Sequence, residues 1–178
     1  MYLFCGGIMM NVGGLFELIL GNTFPCVVFF SFGTFWLAYG ATLQPFYMAY
    51  AAYSPDPSMP AEGANQAGFV NAFAYFLVFM GLLDFVFVLC SLRTNVILFM
   101  ILLSLVPAFG FLAGAFWNLG EGNMELAGKL QIGGGACAFA ACMFGWYLWA
   151  SLLLASVDAP LQLPGKLCTQ FSISLKPC

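Results

Sequence analysis

Histidine is absent from this chain of 178 residues, and charge is scarce: four Lys or Arg and seven Asp or Glu make up 6% of the sequence. Without histidine there is no Ser-His-Asp or Cys-His nucleophile system and no His-ligated zinc or haem. The usual switch at physiological pH is missing too. Any proton relay must run through carboxylates. The four bases, Arg93, Lys129, Lys166 and Lys176, stand apart from one another and the formal net charge is −3. Nucleic acid, which is held by clustered basic side chains, is excluded as a partner. Cysteine is present but unpatterned: Cys5, Cys26, Cys90, Cys137, Cys142, Cys168 and Cys178 include no C-x-x-C pair. They read as small membrane hydrophobes and not as a disulfide framework or a metal site. No cofactor and no metal is expected.

What fills the chain is apolar. Hydrophobic residues make up 63%, and a soluble domain would carry about 25% charged residues, so the lipid bilayer is the natural solvent. Five long apolar runs, 1–20, 24–43, 69–92, 96–117 and 130–156, each reach the ~20 residues that cross the hydrocarbon as a helix. A membrane barrel would show ~10-residue segments of alternating polarity, and none is present. The fold class is therefore an all-α membrane protein, a polytopic helical bundle over 1–156 with five spans in this chain, followed by a C-terminal tail, 157–178. No room remains for a soluble catalytic domain, and Gly81-Leu82-Leu83-Asp84 is not a G-x-G-D protease motif. An enzyme is not expected. The first run lacks the basic flank and the cleavage site of a signal peptide and is read as a span.

Short links, Gly21-Asn22-Thr23 and Arg93-Thr94-Asn95, make antiparallel neighbours, whereas the proline-rich stretch from Gln44 to Gly68 is an exposed loop. With Arg93, Lys166 and Lys176 on the cytoplasmic side, Asp56, Glu62, Glu121 and Glu125 fall outside together with Lys129, as the positive-inside rule prefers. This places Met1 on the outer side and leads us to expect a further span upstream of it.

Polar groups inside spans are costly and mark candidate sites. Glu17 either reaches the interface or lines a pathway. Asp84 stands nine residues from Arg93, about 13 Å along a helix, too far for a direct pair, so it faces a wet cavity or carries a proton. Both are candidate proton-linked carboxylates. Asn11 lines a cavity or bonds a neighbouring helix. Asn22 and Thr23, ahead of Pro25, cap the second helix or offer its N–H groups and positive dipole end to an anion. Pro107 interrupts the fourth run. Glycines at heptad spacing, Gly6 and Gly13, Gly7 and Gly14, Gly33 and Gly40, and the G-x-x-x-G of Gly110 and Gly114, predict close helix packing. Gly133-Gly134-Gly135 and the alanines after it make a small side that should be buried against protein.

One stretch is more specific. GG-x-x-x-N-x-x-G-x-x-E-x-x-x-GNTF, from Gly6 to Phe24, followed by S-F-G-T-F-W from Ser31 to Trp36, resembles the signature of the acetate uptake transporter family of succinate-acetate permease-like proteins. Tyr53-Ser54-Pro55-Asp56-Pro57, Cys90 to Asn95 and Phe109 to Trp117 look like its fungal branch. The resemblance implies six spans per subunit, a plasma-membrane homo-oligomer (a hexamer), and a path for small carboxylates narrowed by aromatic and aliphatic side chains. Phe32 and Leu105 match two of the constriction groups. The N-P-x-P-L-G-L motif that opens the family's first helix has no match here, and a third constriction group would lie on that helix. Asn11 stands near the family's usual Gln, Pro25 replaces a Gly, and Phe32 stands where Tyr is common. The expected function is transport of small monocarboxylates, chiefly acetate, channel-like or proton-coupled. The rivals are ammonia or ammonium export, proposed for related fungal proteins, and a non-transporting structural or sensory tetraspan-like protein.

Overall fold

The computed structural model describes residues 1–159 and Leu163. Lys166, Lys176 and nearly all of the tail expected at 157–178 lie outside the described residues. Five helices are long and apolar enough to cross a membrane: α1 (Tyr2–Ile19), α2 (Thr23–Thr42), α3 (Ala67–Ser91), α4 (Val96–Gly120) and α5 (Met124–Ser156). The described residues contain no strand. The helices outrun the apolar windows that announced them. Helix α5 begins at Met124 because Asn123 caps it, its side chain accepting the Leu126 N–H at 3.2 Å. Glu125 and Lys129 then pair one turn apart at 2.6 Å, so the polar first turns stay helical outside the apolar run. Helix α4 starts in the same way, with the Asn95 side chain accepting the Ile97 N–H at 2.8 Å, and it runs through Pro107 without a break. Helix α1 changes its winding: Tyr2–Met9 is a π-helix and Met10–Ile19 is α.

The chain forms two compact units, Met1–Phe69 and the part from Val70 on. In the first, α1 and α2 form an antiparallel hairpin whose glycines interlock. Trp36 packs on Gly6, Leu37 on Gly7, Phe30 on Gly14, Asn11 on Gly33, and Leu3 on Gly40. Each helix thus supplies the gaps for the other's large side chains, and close packing is what holds helices together where lipid is as apolar as leucine. At the open end of the hairpin Tyr2 stacks on Trp36 at 5.2 Å between centroids and meets Tyr39 edge-on at 5.2 Å.

The loop after α2 folds into three 3₁₀ turns, Pro45–Tyr47, Ala51–Tyr53 and Pro60–Asn65. Gly63 lies against the Tyr50 carbonyl where a Cβ would collide with backbone. Tyr50 and Tyr53 both meet Phe69 edge-on. The Asp56 carboxylate accepts the backbone N–H and the hydroxyl of Ser58, both at 2.8 Å. These bonds, the backbone one first, hold its carboxyl below the usual carboxylate range.

In the second unit α3, α4 and α5 run antiparallel. Along α3 and α4 Asn71 lies on Gly120, Phe73 against Phe116 at 5.2 Å, Tyr75 against Trp117 at 5.4 Å, and Phe109 on Gly81. Against α5, Leu112 and the Ala108 carbonyl sit on Gly134, and Leu130 touches the Gly114 position at 3.4 Å. The buried residues of α5, Ala127, Gly134 and Ala141, recur every seven residues and form the face that α4 covers. The small side is therefore narrower than the run of glycines suggests: Gly134 is filled by α4, while a Cβ on Gly135 or Gly110 would meet nothing within 4 Å.

Candidate functional site

The turn from α1 to α2 explains why Glu, Gly and Asn stand at 17, 21 and 22. Helix α1 ends in a Schellman closure: the Gly21 N–H bonds the Leu18 carbonyl at 3.0 Å and the Asn22 N–H bonds the Glu17 carbonyl at 2.9 Å. Gly21 sits at φ +82°, a left-handed conformation that glycine adopts without strain. The α4–α5 connection repeats the device. Gly122 is at φ +80°, with Gly122 bonded to Leu119 at 3.1 Å and Asn123 to Asn118 at 2.8 Å. This kinship of Gly21-Asn22 and Gly122-Asn123 was legible in the sequence as two Gly-Asn pairs between apolar runs, and the motif reading missed it.

The two asparagines then diverge. Their backbones match, φ −86° and ψ 77° against φ −85° and ψ 75°, yet only Asn123 caps its helix. The Asn22 amide turns back and donates to the Glu17 carboxylate at 2.7 Å, and its side chain makes no cap bond to α2. An ionised acceptor outcompetes a neutral backbone one, and the α4–α5 turn has Asn118 where this one has Glu17. The side-chain capping expected of Asn22 is thus replaced by a Glu17–Asn22 bond across the turn. Thr23 opens α2, exposed like Asn22, while Glu17 is half-buried. The anionic group next to the positive end of α2 is therefore the chain's own Glu17.

The other candidates are spread along the helices. The Asn11 amide donates to the Gly7 carbonyl of its own helix at 2.8 Å, so of the two alternatives for it, a cavity or a bond to a neighbouring helix, this amide bond serves neither, and the side chain packs on Gly33 of α2. Phe32 is buried and lies with Val28 and Phe35 on one face of α2, a face separate from the Cys26, Gly33 and Gly40 stripe that runs along α1. Nine residues separate Phe32 from Thr23, about 13 Å along the axis. On α4, Leu105 is half-buried, and the neighbouring Ser104 hydroxyl donates to the Met100 carbonyl at 2.7 Å. Asp84 is fully buried on α3, and neither of its carboxyl oxygens has a hydrogen-bond partner. Gly7 and Gly14 lie in the α1–α2 contact, Gly114 touches α5, and Gly110 is open. Asn71, which sequence reasoning passed over, lies on Gly120, and its side-chain oxygen is buried without a partner.

Residues 1–166 match the GPR1/FUN34/yaaH family. The chain belongs to that family. Protein alcS of Aspergillus fumigatus is 39% identical over 91% of the chain, and acetate permease A of Emericella nidulans is 27% identical over 86%. The chain spans 60% of the length of the first and 49% of the second. Among solved structures, the bacterial acetate channel SatP superposes with a TM-score of 0.66 at 25% identity, covering 92% of this chain and 79% of that one. The protein is a multi-pass membrane protein of this family, an all-helical bundle with five candidate spans in this chain.

Proposed function

We propose that this protein passes acetate and other small monocarboxylates across a membrane, as a transporter or channel and not as an enzyme. The setting we infer is a plasma-membrane homo-oligomer, a hexamer by family resemblance. A carboxylic acid with a pKa near that of Glu, about 4.3, is ionised at pH 7 in all but roughly one molecule in 500. The anion enters hydrocarbon at great cost. A protein path lowers that cost by replacing the full hydrocarbon layer with a short dry neck between wet mouths.

The observation that carries the reading is the α1–α2 hairpin. Glu17 and Asn22 bond each other across the turn that Gly21 makes, and Phe32 lies buried about two and a half turns into the helix that starts there. Relatives named for acetate transport support it. Thr23 offers a hydroxyl at the helix start, Phe32 supplies a bulky neck group on α2, and Leu105 supplies one on α4. Glu17 gates the mouth through its charge, because one carboxylate repels another.

The test is uptake of labelled acetate and of a larger monocarboxylate in cells expressing the protein, normalised to folded protein in the membrane. Phe32→Ala should widen the neck and raise the larger solute relative to acetate, and Thr23→Val should slow acetate entry at nearly constant shape. Unchanged rates and selectivity in both variants would remove these residues from the path. Ammonia release without acetate uptake would move the function to ammonia export, and neither activity would leave a structural or sensory membrane protein.

A further inference from the structure

Helix α2 is 20 residues long, Thr23–Thr42, about 30 Å and so the whole thickness of the hydrocarbon. Thr42 stands at its edge, and the residues that follow at once lie in the headgroup layer. There the chain makes the 3₁₀ turn Pro45–Tyr47 and points three large apolar side chains outward: Phe46 is 87% exposed, Tyr47 62% and Met48 47%. Three consecutive exposed apolar residues are unfavourable in water unless they meet a partner.

The turn that presents them is built, not frayed. The Tyr47 N–H bonds the Gln44 carbonyl at 3.2 Å, the Met48 N–H bonds the Pro45 carbonyl at 3.2 Å, and the Ala51 N–H bonds the Met48 carbonyl at 2.9 Å. The Phe46 and Tyr47 rings meet edge-on at 5.4 Å between centroids. Met48 is held at φ +46°, a left-handed backbone that glycine takes without strain and an L-residue does not. A third apolar side chain is thus kept beside the two rings at a conformational cost. The next aromatic residues of the loop, Tyr50 and Tyr53, are committed to Phe69 instead.

Continuity with the span and absence of charge identify the partner. The last turns of α2 carry Trp36 and Tyr39, which cluster with Tyr2 at this end of the hairpin, and aromatic residues of this kind gather where membrane meets water. Phe46 and Tyr47 carry that belt past the end of the helix. No charged side chain occurs from Leu43 to Pro55, and the loop's carboxylates follow only at Asp56 and Glu62, both exposed. An uncharged tip can leave water without stranding an ion. We propose that Phe46, Tyr47 and Met48 dock the loop on the lipid surface, entering the zwitterionic headgroup layer beside the end of α2 while Asp56 and Glu62 stay in water. The contact fixes the depth of that end of α2, whatever solute the protein passes.

The experiment places the protein in phosphatidylcholine vesicles containing a tritium-labelled tracer of the same lipid. The photoreactive residue p-benzoylphenylalanine replaces Phe46, Tyr47 or Ser58, one at a time, the last as the control in the acidic part of the loop. Irradiation should attach labelled lipid at positions 46 and 47 severalfold more than at 58. Labelling should persist when salt is raised from about 0.1 M to about 1 M, which shortens the reach of charges from about 10 Å to about 3 Å. The outward position of Phe46 leaves room for the larger ring, and position 47 gives an independent reading should the first variant fold poorly. Equal lipid labelling at all three positions would overturn the proposal. So would attachment of positions 46 and 47 to a second copy of the chain in place of lipid, which marks a subunit contact, or loss of lipid labelling at high salt, which marks an electrostatic one.

Discussion

Replacing Gly21 by alanine changes almost nothing in the fold except a backbone preference. A Cβ at Gly21 would meet no atom within 4 Å, so no steric clash enters. What remains is the φ of +82°, where an L-residue is less stable than glycine by about 1–2 kcal/mol. Gly122, at φ +80° and equally open, should behave alike, and asparagine at either site should lose less than alanine because its side chain tolerates the left-handed region. Gly110 is the control. An added methyl group there would also meet nothing within 4 Å, but Gly110 sits inside α4 with an ordinary helical backbone, so alanine should gain about 0.5–1 kcal/mol. The two classes should therefore shift in opposite directions and stand about 2 kcal/mol apart. Unfolding by a denaturing detergent, followed by far-ultraviolet circular dichroism in mild micelles, measures the difference. Gly21→Ala and Gly110→Ala shifting stability in the same direction by similar amounts would refute the assignment of the α1–α2 turn as a left-handed closure.

Gly7→Leu and Gly33→Leu should each push α1 off α2, because Leu37 and Asn11 occupy the space a side chain would need. Lower yield of folded protein, or slower migration in native-state sizing, would show it, and wild-type behaviour of both would remove the glycine interlock. Glu17→Gln keeps an acceptor for the Asn22 amide but removes the charge at the mouth, so acetate entry at pH 7 should speed up severalfold with little change in stability. An unchanged rate would take Glu17 out of the path. Asp56 is held below the usual carboxylate range in the folded loop, so its stabilising contribution is full above that range and is lost as pH falls through the lowered folded value. Ser58→Ala should move its titration part of the way back up, read from carboxyl carbon shifts in aspartate-labelled protein, and no movement would mean the hydroxyl bond is not made in solution. A cysteine at Ser58 should react with an impermeant thiol reagent added to intact cells, whereas labelling only after permeabilisation would invert the topology.

The amino-acid sequence determined the class of fold through what it lacks. With 6% charged residues the only place for these segments is a bilayer, and helices satisfy every backbone bond there without neighbours, so the number and order of the spans followed from composition alone. Heptad glycines likewise announced close packing, because spacing along a helix sets which residues share a face. Tertiary structure decided what each face meets. Gly7 receives Leu37 while Gly110 receives nothing, a difference of register between helices that spacing within one helix does not contain. Side-chain commitments were decided there as well. Asn22 and Asn123 follow the same Gly-Asn turn, and only the presence of Glu17 across the first one draws the Asn22 amide away from the cap. Asn11 turned to its own Gly7 carbonyl because that acceptor lies one turn away on the same helix. Asp84 was visible from the start as a carboxyl in an apolar run; that neither of its oxygens finds a partner depends on the helices packed around it.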